Sequence, residues 1–317
     1  MQPTQTDVHV NKPLTNVSTA YMQRDENFIA TKVFPIVPVE HQSDKFYTFT
    51  KNDWLRDEAQ PRADATESAG SGYGVSTDLY NCDVFALHKD VGDQARKNAD
   101  PGIDLDRGAA QFVAKKLLLR QEIQWVTDVF KTGVWGTDLT PTVLWNDDSS
   151  DPINDVDAGK EQILSVTGYE PNTLVLGYQV YRQLKRQPDI VDRLKYTQGV
   201  TGKTVTPQML AAMFDVERVF VAKAIKATNK EGETASYSFI FGKHAWLGYV
   251  APNPSPMEPS AGYTFSWRGV SDGLGADVGT VRIDMPLKRA TRIESQTAFD
   301  NKVVGSDLGY FFNGAVT

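Results

Sequence analysis

The run Asp104-Leu105-Asp106-Arg107-Gly108-Ala109-Ala110-Gln111-Phe112-Val113-Ala114-Lys115-Lys116-Leu117-Leu118-Leu119-Arg120-Gln121-Glu122-Ile123-Gln124-Trp125-Val126-Thr127-Asp128-Val129-Phe130-Lys131 carries the strongest structural signal in the chain. Leu105, Ala109, Phe112, Leu119, Ile123, Val126 and Phe130 recur at three- and four-residue spacing, the pattern of a helix with one apolar face. Asp104 stands where an N-cap is expected and Gly133 where a helix should close. At ~1.5 Å per residue the rod is about 42 Å long. That is more than one compact domain needs, so the helix is expected to cross the molecule.

Working outward toward the N-terminus, Phe46-Tyr47-Thr48-Phe49-Thr50 is aromatic and β-branched and reads as a strand, and Leu79 to Leu87 reads as a second. Roughly 28 residues separate them, far more than a hairpin turn requires. Arg56, Asp57 and Glu58, then Ala59 to Gly74 with Gly70, Gly72 and Gly74, are small or charged and cannot bury a core of their own. A long, poorly apolar loop inside a folded chain is usually functional or disordered. An extended hairpin that leaves the body to lie on something else satisfies both facts. Residues 1–32 are polar, with Pro3 and Pro13, and read as an arm whose partners lie elsewhere. In Val33 to Val39, Pro35 and Pro38 exclude a helix interior and a central strand, which leaves an extended edge segment.

Toward the C-terminus, Thr132 to Pro152 reads as a loop, and Asp155 or Asp157 caps a helix running to about Val166, closed by Gly168. Asn172 to Gly177 is a short buried strand leading into a helix from Tyr178 to Lys185; Pro188 breaks it, and Asp189 to Leu194 adds a turn or two. Thr206-Pro207 opens a further helix to Phe214. Val219 to Lys226, Ser238 to Phe241, Trp246 to Val250, Val278 to Asp284 and Ala290 to Glu294 read as strands, and the proline-rich Ala251 to Pro259 as a rigid loop. Strands, a rod, an α/β block and more strands make an α+β fold.

Composition narrows the function. The chain has 317 residues, with 33 Lys and Arg against 40 Asp and Glu, a formal charge of −7. That balance does not suit a dedicated nucleic-acid gripper. The single cysteine, Cys82, excludes a disulfide framework and a multi-cysteine metal site, and fits a reducing compartment. No apolar run approaches the ~20 residues of a membrane span, and the N-terminus lacks the basic and apolar regions of a secretory signal. His9, His41, His88 and His244 show no metal-ligand spacing, and neither a nucleophile elbow nor a P-loop occurs. Gly70-Ser71-Gly72-Tyr73-Gly74 has the glycines of a phosphate cradle but no helix behind it. Asp147-Asp148 and the Asp104/Asp106 pair are accounted for by loop solubility and helix starts. Arg182, Lys185, Arg186, Arg193 and Lys195 read as a solvated basic face. No enzymatic activity, cofactor or metal is expected.

The order and spacing of these segments resemble the major capsid proteins of tailed bacteriophages, with their Hong Kong 97-like fold. The residues that carry the resemblance are Asp104-Leu105-Asp106 opening the rod and Phe130-Lys131-Thr132-Gly133-Val134-Trp135-Gly136 closing it; Pro171 to Gly177 with Tyr181-Arg182-Gln183-Leu184 and Pro188 to Tyr196; Phe241-Gly242-Lys243 with the proline loop after Tyr249; and Asp307-Leu308-Gly309-Tyr310-Phe311-Phe312. The resemblance implies an N-terminal arm at 1–32, an extended β-hairpin loop at 33–92, a peripheral domain at 93–169 with its spine helix at 104–131, an axial domain at 170–267, and return strands of the peripheral domain at 268–317. It implies self-assembly into pentamers and hexamers of an icosahedral or prolate head around double-stranded DNA, held by weak non-specific contact. The location implied is the virion, with assembly in the host cytoplasm. A portal and a decoration or cement protein come with that reading. Because the arm begins at Met1, either a separate scaffolding protein or an already mature chain is expected.

The loop residues Trp54, Arg56, Asp57, Glu58, Arg62 and Tyr73 are the expected inter-subunit contacts. Some members join subunits covalently through a loop lysine and a peripheral asparagine assisted by a glutamate. Lys45 or Lys51, Asn301 or Asn313, and Glu294 are the matching residue types, but fold analogy is a weak warrant for a site and crosslinking is not expected. The alternatives are an encapsulin-like compartment shell, which shares the fold and packages proteins, and, further off, a soluble enzyme or a tail or decoration protein.

Overall fold

The computed structural model describes residues 23–49, 51–99, 104–198, 205–254, 258–270 and 279–317. In chain order the elements are α1 (Ala30–Val33), β1 (Ile36–Val39), β2 (Ser43–Phe49), α2 (Lys51–Leu55), β3 (Val75–Asn81), β4 (Asp83–Gly92), α3 (Asp93–Lys97), α4 (Leu105–Asp128), β5 (Thr137–Leu139), α5 (Pro152–Thr167), β6 (Thr173–Gly177), α6 (Tyr178–Leu184), α7 (Pro188–Gln198), α8 (Pro207–Met213), β7 (Arg218–Ala222), β8 (Ile225–Ala227), β9 (Tyr237–Phe239), β10 (Ala245–Gly248), β11 (Gly262–Trp267), β12 (Gly279–Met285), β13 (Ala290–Val303) and β14 (Gly309–Phe312). The fold is α+β.

The C-terminal part of the chain builds a mixed sheet in the order β5-β14-β10-β6-β7. Successive side chains of a strand point to opposite faces, and here both faces are covered. Leu174 and Leu176, Ala245 and Leu247, and Tyr310 and Phe312 enter one core with α5, α6 and α8. The residues between them, Val175, Trp246 and Phe311, enter a second core with Trp125, Val129 and Phe130 of the rod's end and with Phe28 to Phe34. A strand buried on both sides reads as an unbroken apolar run, which is why Leu174-Val175-Leu176 is legible in the sequence. At Gly309 a Cβ would lie 2.1 Å from the Trp135 ring, so this strand can approach that close only as glycine.

The other large sheet runs β1-β11-β13-β12, with β4 on the free side of β13. β13 is its centre and pairs with β4 from Ala290↔Gly92 to Phe299↔Asp83. The proline-bearing segment Ile36–Val39 is an edge strand, parallel to β11.

The helix α4 spans 24 residues, about 36 Å, and bridges the two sheets. Asp104 caps it, its carboxylate accepting from the backbone N–H groups of Asp106 and Arg107. It closes at Val129, before the expected Gly133. Its buried stripe also differs from the expected one. Ala109, Val113 and Leu117 are buried in the first half, and Gln121, Glu122 and Trp125 in the second. The stripe turns because the first half lies on β4 and β13 while the second lies under the mixed sheet and the segment from Phe28 to Phe34. Phe112, expected inside, is 42% exposed.

Other differences are local. The helix α5 is capped by Asp151 with Pro152 at its first position, rather than by Asp155 or Asp157, and Gly168 closes it at φ +76° as expected. The stretch from Leu79 to Leu87 is two strands that part at Cys82, and Val219 to Lys226 likewise splits into β7 and β8. Thr137–Leu139 forms a strand inside the expected loop, and Ala290–Val303 runs well past Glu294. Residues 28–32, read as the end of an arm without partners in its own chain, include Phe28, Ile29 and Ala30 buried in the second core. The arm's residues 1–22, Lys195's side chain and positions 255–257 of the proline loop lie outside the described residues.

Candidate assembly surfaces

The hairpin β2–β3 is a separate two-stranded sheet, paired from Ser43↔Asn81 to Phe49↔Val75. Its base is fixed to the body. Tyr80 stacks on Phe265 at 4.6 Å and Phe46 lies 5.5 Å from the same ring. Cys82 is buried at the junction, where Cys82 N–H donates to Gln42 O (2.8 Å) and Gln42 Nε2 donates to Cys82 O (3.1 Å). Burial first, then the nearby Asp300 carboxylate, pushes the Cys82 thiol up to about 12, so it is an inert filler there.

Beyond the base the hairpin turns outward. Of the seven residues of β3 only Tyr80 is buried. At the far end Phe49, Trp54 and Tyr73 form an aromatic cluster, with the Trp54 and Tyr73 rings 5.3 Å apart. Trp54 is nevertheless 54% exposed and Tyr73 58%. Asp53 Oδ2 accepts from Gly74 N–H at 2.7 Å and closes the loop's neck. Arg56 Nη1 pairs with Glu58 Oε1 (3.3 Å), Asp57 Oδ1 accepts from Ala59 N–H, and Arg62 donates to Thr66 O. So the six expected contact residues are all surface residues of one excursion, held by bonds within it. The segment reaches the body through Lys51, whose Nζ lies 2.5 Å from Asp307 Oδ2. No regular structure occurs from residue 56 to 74.

Within one subunit the crosslink residue types lie apart. Lys45 is exposed on β2, and Lys51 pairs with Asp307. Asn301 is buried on β13, its Oδ1 accepting from Thr264 Oγ1 at 3.0 Å. Asn313 sits past β14, its N–H donating to Leu139 O at 2.8 Å. Glu294 lies opposite His88 and Val281 in the sheet.

Sequence reading missed one residue of consequence, Glu122. It is 1% exposed, in the middle of α4. Its carboxylate accepts from Ile29 N–H (3.0 and 3.1 Å) and Ala30 N–H (2.9 Å), the free donors at the start of α1. Burial pushes its pKa up to about 7, against the opposing pull of those hydrogen bonds and of Lys32. Its only signal in the sequence is a charge next to the apolar positions of the rod. Among the described residues no group of metal-ligating side chains converges and no helix is long and apolar enough to cross a membrane.

The chain matches no protein-family model. It is similar to the major capsid protein of Burkholderia phage BcepMu, 27% identical over 321 residues covering 96% of each chain. Among solved structures it is similar to a phage-related protein from Bordetella bronchiseptica, with 27% identity, a TM-score of 0.69, and 92% of this chain and 94% of that one covered. It shares its fold with the capsid structure of cyanophage P-SCSP1u at 10% identity and a TM-score of 0.63, over 93% and 90% of the chains. The fold is the Hong Kong 97-like fold, and the similarity to phage capsid proteins implies a structural role in a homo-oligomeric capsid. Its similarity over nearly its whole length to a phage major capsid protein, together with the shared fold, supports a capsid-forming function, with the virion capsid as its place.

Proposed function

We propose that this chain builds the pentamers and hexamers of a phage head enclosing double-stranded DNA, assembled in the host cytoplasm. In this reading residues 33–92 are the draped loop, 93–169 with α4 the peripheral domain, 170–267 the axial domain and 268–317 the return strands. A separate scaffolding protein, a portal and a decoration protein are the further partners, and DNA is held by weak contact. The observation that carries the proposal is the Phe49–Trp54–Tyr73 cluster, with Trp54 and Tyr73 exposed, on a hairpin that touches its own body at its base and through Lys51. Ordering such a segment costs ~1–2 kcal/mol per backbone residue, and burial returns ~25 cal/mol per Å². Neighbouring subunits are the surfaces that offset that cost, with obligate-scale interfaces well above ~2,000 Å². Heterologous contacts of this kind close into rings and shells.

Replacing Ala59–Gly74 by a short glycine–serine turn is expected to abolish shells while the chain stays soluble with an unchanged melt. Normal particles by negative-stain microscopy would overturn the draped-loop role. The nucleic-acid content of purified particles separates this reading from a protein-packaging shell of the same fold.

A further inference from the structure

Helix α4 and strand β4 run alongside each other, and one row of side chains on each meets along the groove. On the helix the row is Phe112, Lys116 and Arg120, four residues apart and so on one face. On the strand it is Lys89, Leu87 and Phe85, two apart and likewise on one face. From Phe112 to Arg120 is about 12 Å of helix, and from Lys89 to Phe85 about 13 Å of strand, so the rows keep step. At one end Lys89 Nζ lies 5.3 Å and Lys116 Nζ 5.6 Å from the centre of the Phe112 ring. At the other Arg120 lies 4.9 Å from the centre of the Phe85 ring. Lys89, Lys116, Arg120 and Phe112 are all exposed.

Three cations thus converge on two rings, and among the described residues none of the three is in an ion pair; Arg120 donates instead to the neutral Gln124 (2.7 Å). Several cations on α4 and on the neighbouring elements are matched, although among the described residues Arg107 at the start of the helix is not. Arg96 and Arg282 share Asp106, Lys115 holds Asp25, and Arg292 holds Asp90 on the opposite face of the sheet. In a chain with seven more acids than bases, an uncompensated positive strip is a local reversal of sign. Like charges four apart on a helix oppose folding, so the arrangement costs the isolated chain stability and an anionic ligand relieves it. A stretch of duplex as long as the strip, about 12 Å, carries roughly seven phosphate charges. Cation–ring stacking holds the heads apart and presented outward.

We propose that the groove between α4 and β4, through Lys89, Lys116 and Arg120, is the phosphate-binding surface on which this capsid protein meets duplex DNA. The inference rests on the shell reading above and names the face that the nucleic acid touches. Lysine and arginine heads spread along the strip suit phosphate oxygens rather than base edges, so contact is with the backbone and independent of sequence.

The test uses the full chain and a 40-base-pair duplex of mixed sequence, followed by fluorescence anisotropy between 50 and 200 mM salt. In the variant Lys89→Gln with Lys116→Gln and Arg120→Gln, the slope of log affinity against log salt is expected to fall by up to ~2.7, about 0.9 for each phosphate no longer neutralised, with affinity down at least ~10-fold. Arg182→Gln with Lys185→Gln and Arg186→Gln removes the same charge elsewhere and is expected to leave the slope near the parent's. The single variant Lys116→Gln, at an exposed position, tests the strip with a drop of ~0.9 should the triple variant misfold. Equal reductions in both triple variants, a strip variant that binds like the parent, or polyglutamate binding the parent's strip as tightly as the duplex would each overturn the proposal, the last in favour of an acidic protein partner. Negative-stain images of the same preparations keep the two readings apart: particles with an inert strip sink only this one, and a parent that forms no particles sinks the shell.

Discussion

β6 and β3 are strands of similar length with opposite fates. All five residues of Thr173–Gly177 are buried, whereas in Val75–Asn81 only one of seven is. The difference lies in what surrounds them. β6 is sandwiched between two cores of its own chain, while β3 belongs to a two-stranded ribbon, a unit that is at best marginal alone. The body is therefore packed on itself within one subunit, whereas most of this hairpin strand stays exposed. Substitutions in the body should change the melt, and substitutions in the hairpin should change assembly.

The largest expected effect is in the body. Trp246 is fully buried, edge-on to Phe34 and 5.0 Å from Trp135. Trp246→Ala should cost ~3–5 kcal/mol in chemical denaturation, because the cavity cannot collapse between two packed layers. A loss under ~1 kcal/mol would mean the second core is loose.

Next comes Glu122. Its folded pKa, about 7, lies above the ordinary 4.5, so the neutral form is the one the fold favours. That contribution is fully present below about pH 4.5 and is lost as pH rises through 7, by an amount on the order of 3 kcal/mol at most. The protection of the Ile29 and Ala30 amides, measured relative to intrinsic exchange at each pH, should fall between pH 5 and 8. Glu122→Gln should flatten that dependence, and a profile unchanged by it would remove Glu122 as the cause.

Gly309→Ala forces a Cβ against the Trp135 ring and should cost ~1–3 kcal/mol, read as a lowered midpoint with an unchanged slope. The smallest effect on the fold is expected for Trp54→Ala, within ~0.5 kcal/mol, yet particles should no longer form. A Trp54→Ala chain that melts early would place Trp54 in the body's core and erase the contrast.

This contrast also decides what could be read in advance. Leu174-Val175-Leu176 announced a buried strand because both its faces are apolar, and the 56–74 stretch announced an excursion because it has nothing to bury. The rod was visible but the turn of its buried stripe was not. That turn depends on two different sheets meeting the two halves of the helix, and neither sheet is local in sequence. The register of the single run from Leu79 to Leu87 hid the break at Cys82, since a small buried residue looks the same within a strand and between two. Glu122 escaped for a related reason: its partners, the amides of Ile29 and Ala30, lie over 90 residues away. Of the six residues proposed for assembly, the loop's sequence offered Trp54 and Tyr73 among the charged ones, but not that they would pair with Phe49. The lysine–asparagine–glutamate types were present without being near one another.

The stitch between Gln42 and Cys82 has a mechanical meaning. A seven-residue strand pair is a lever about 23 Å long, anchored where two short backbone stretches cross from one sheet to another. Tilting it by ~10° about that pivot would carry the tip sideways by about 4 Å and would have to break the Lys51–Asp307 ion pair at its far end, while leaving the strand pairing within each sheet intact. In the proposed shell, such a tilt would let identical chains reach neighbours at slightly unequal angles, the geometric demand made by any closed surface that mixes rings of five with rings of six.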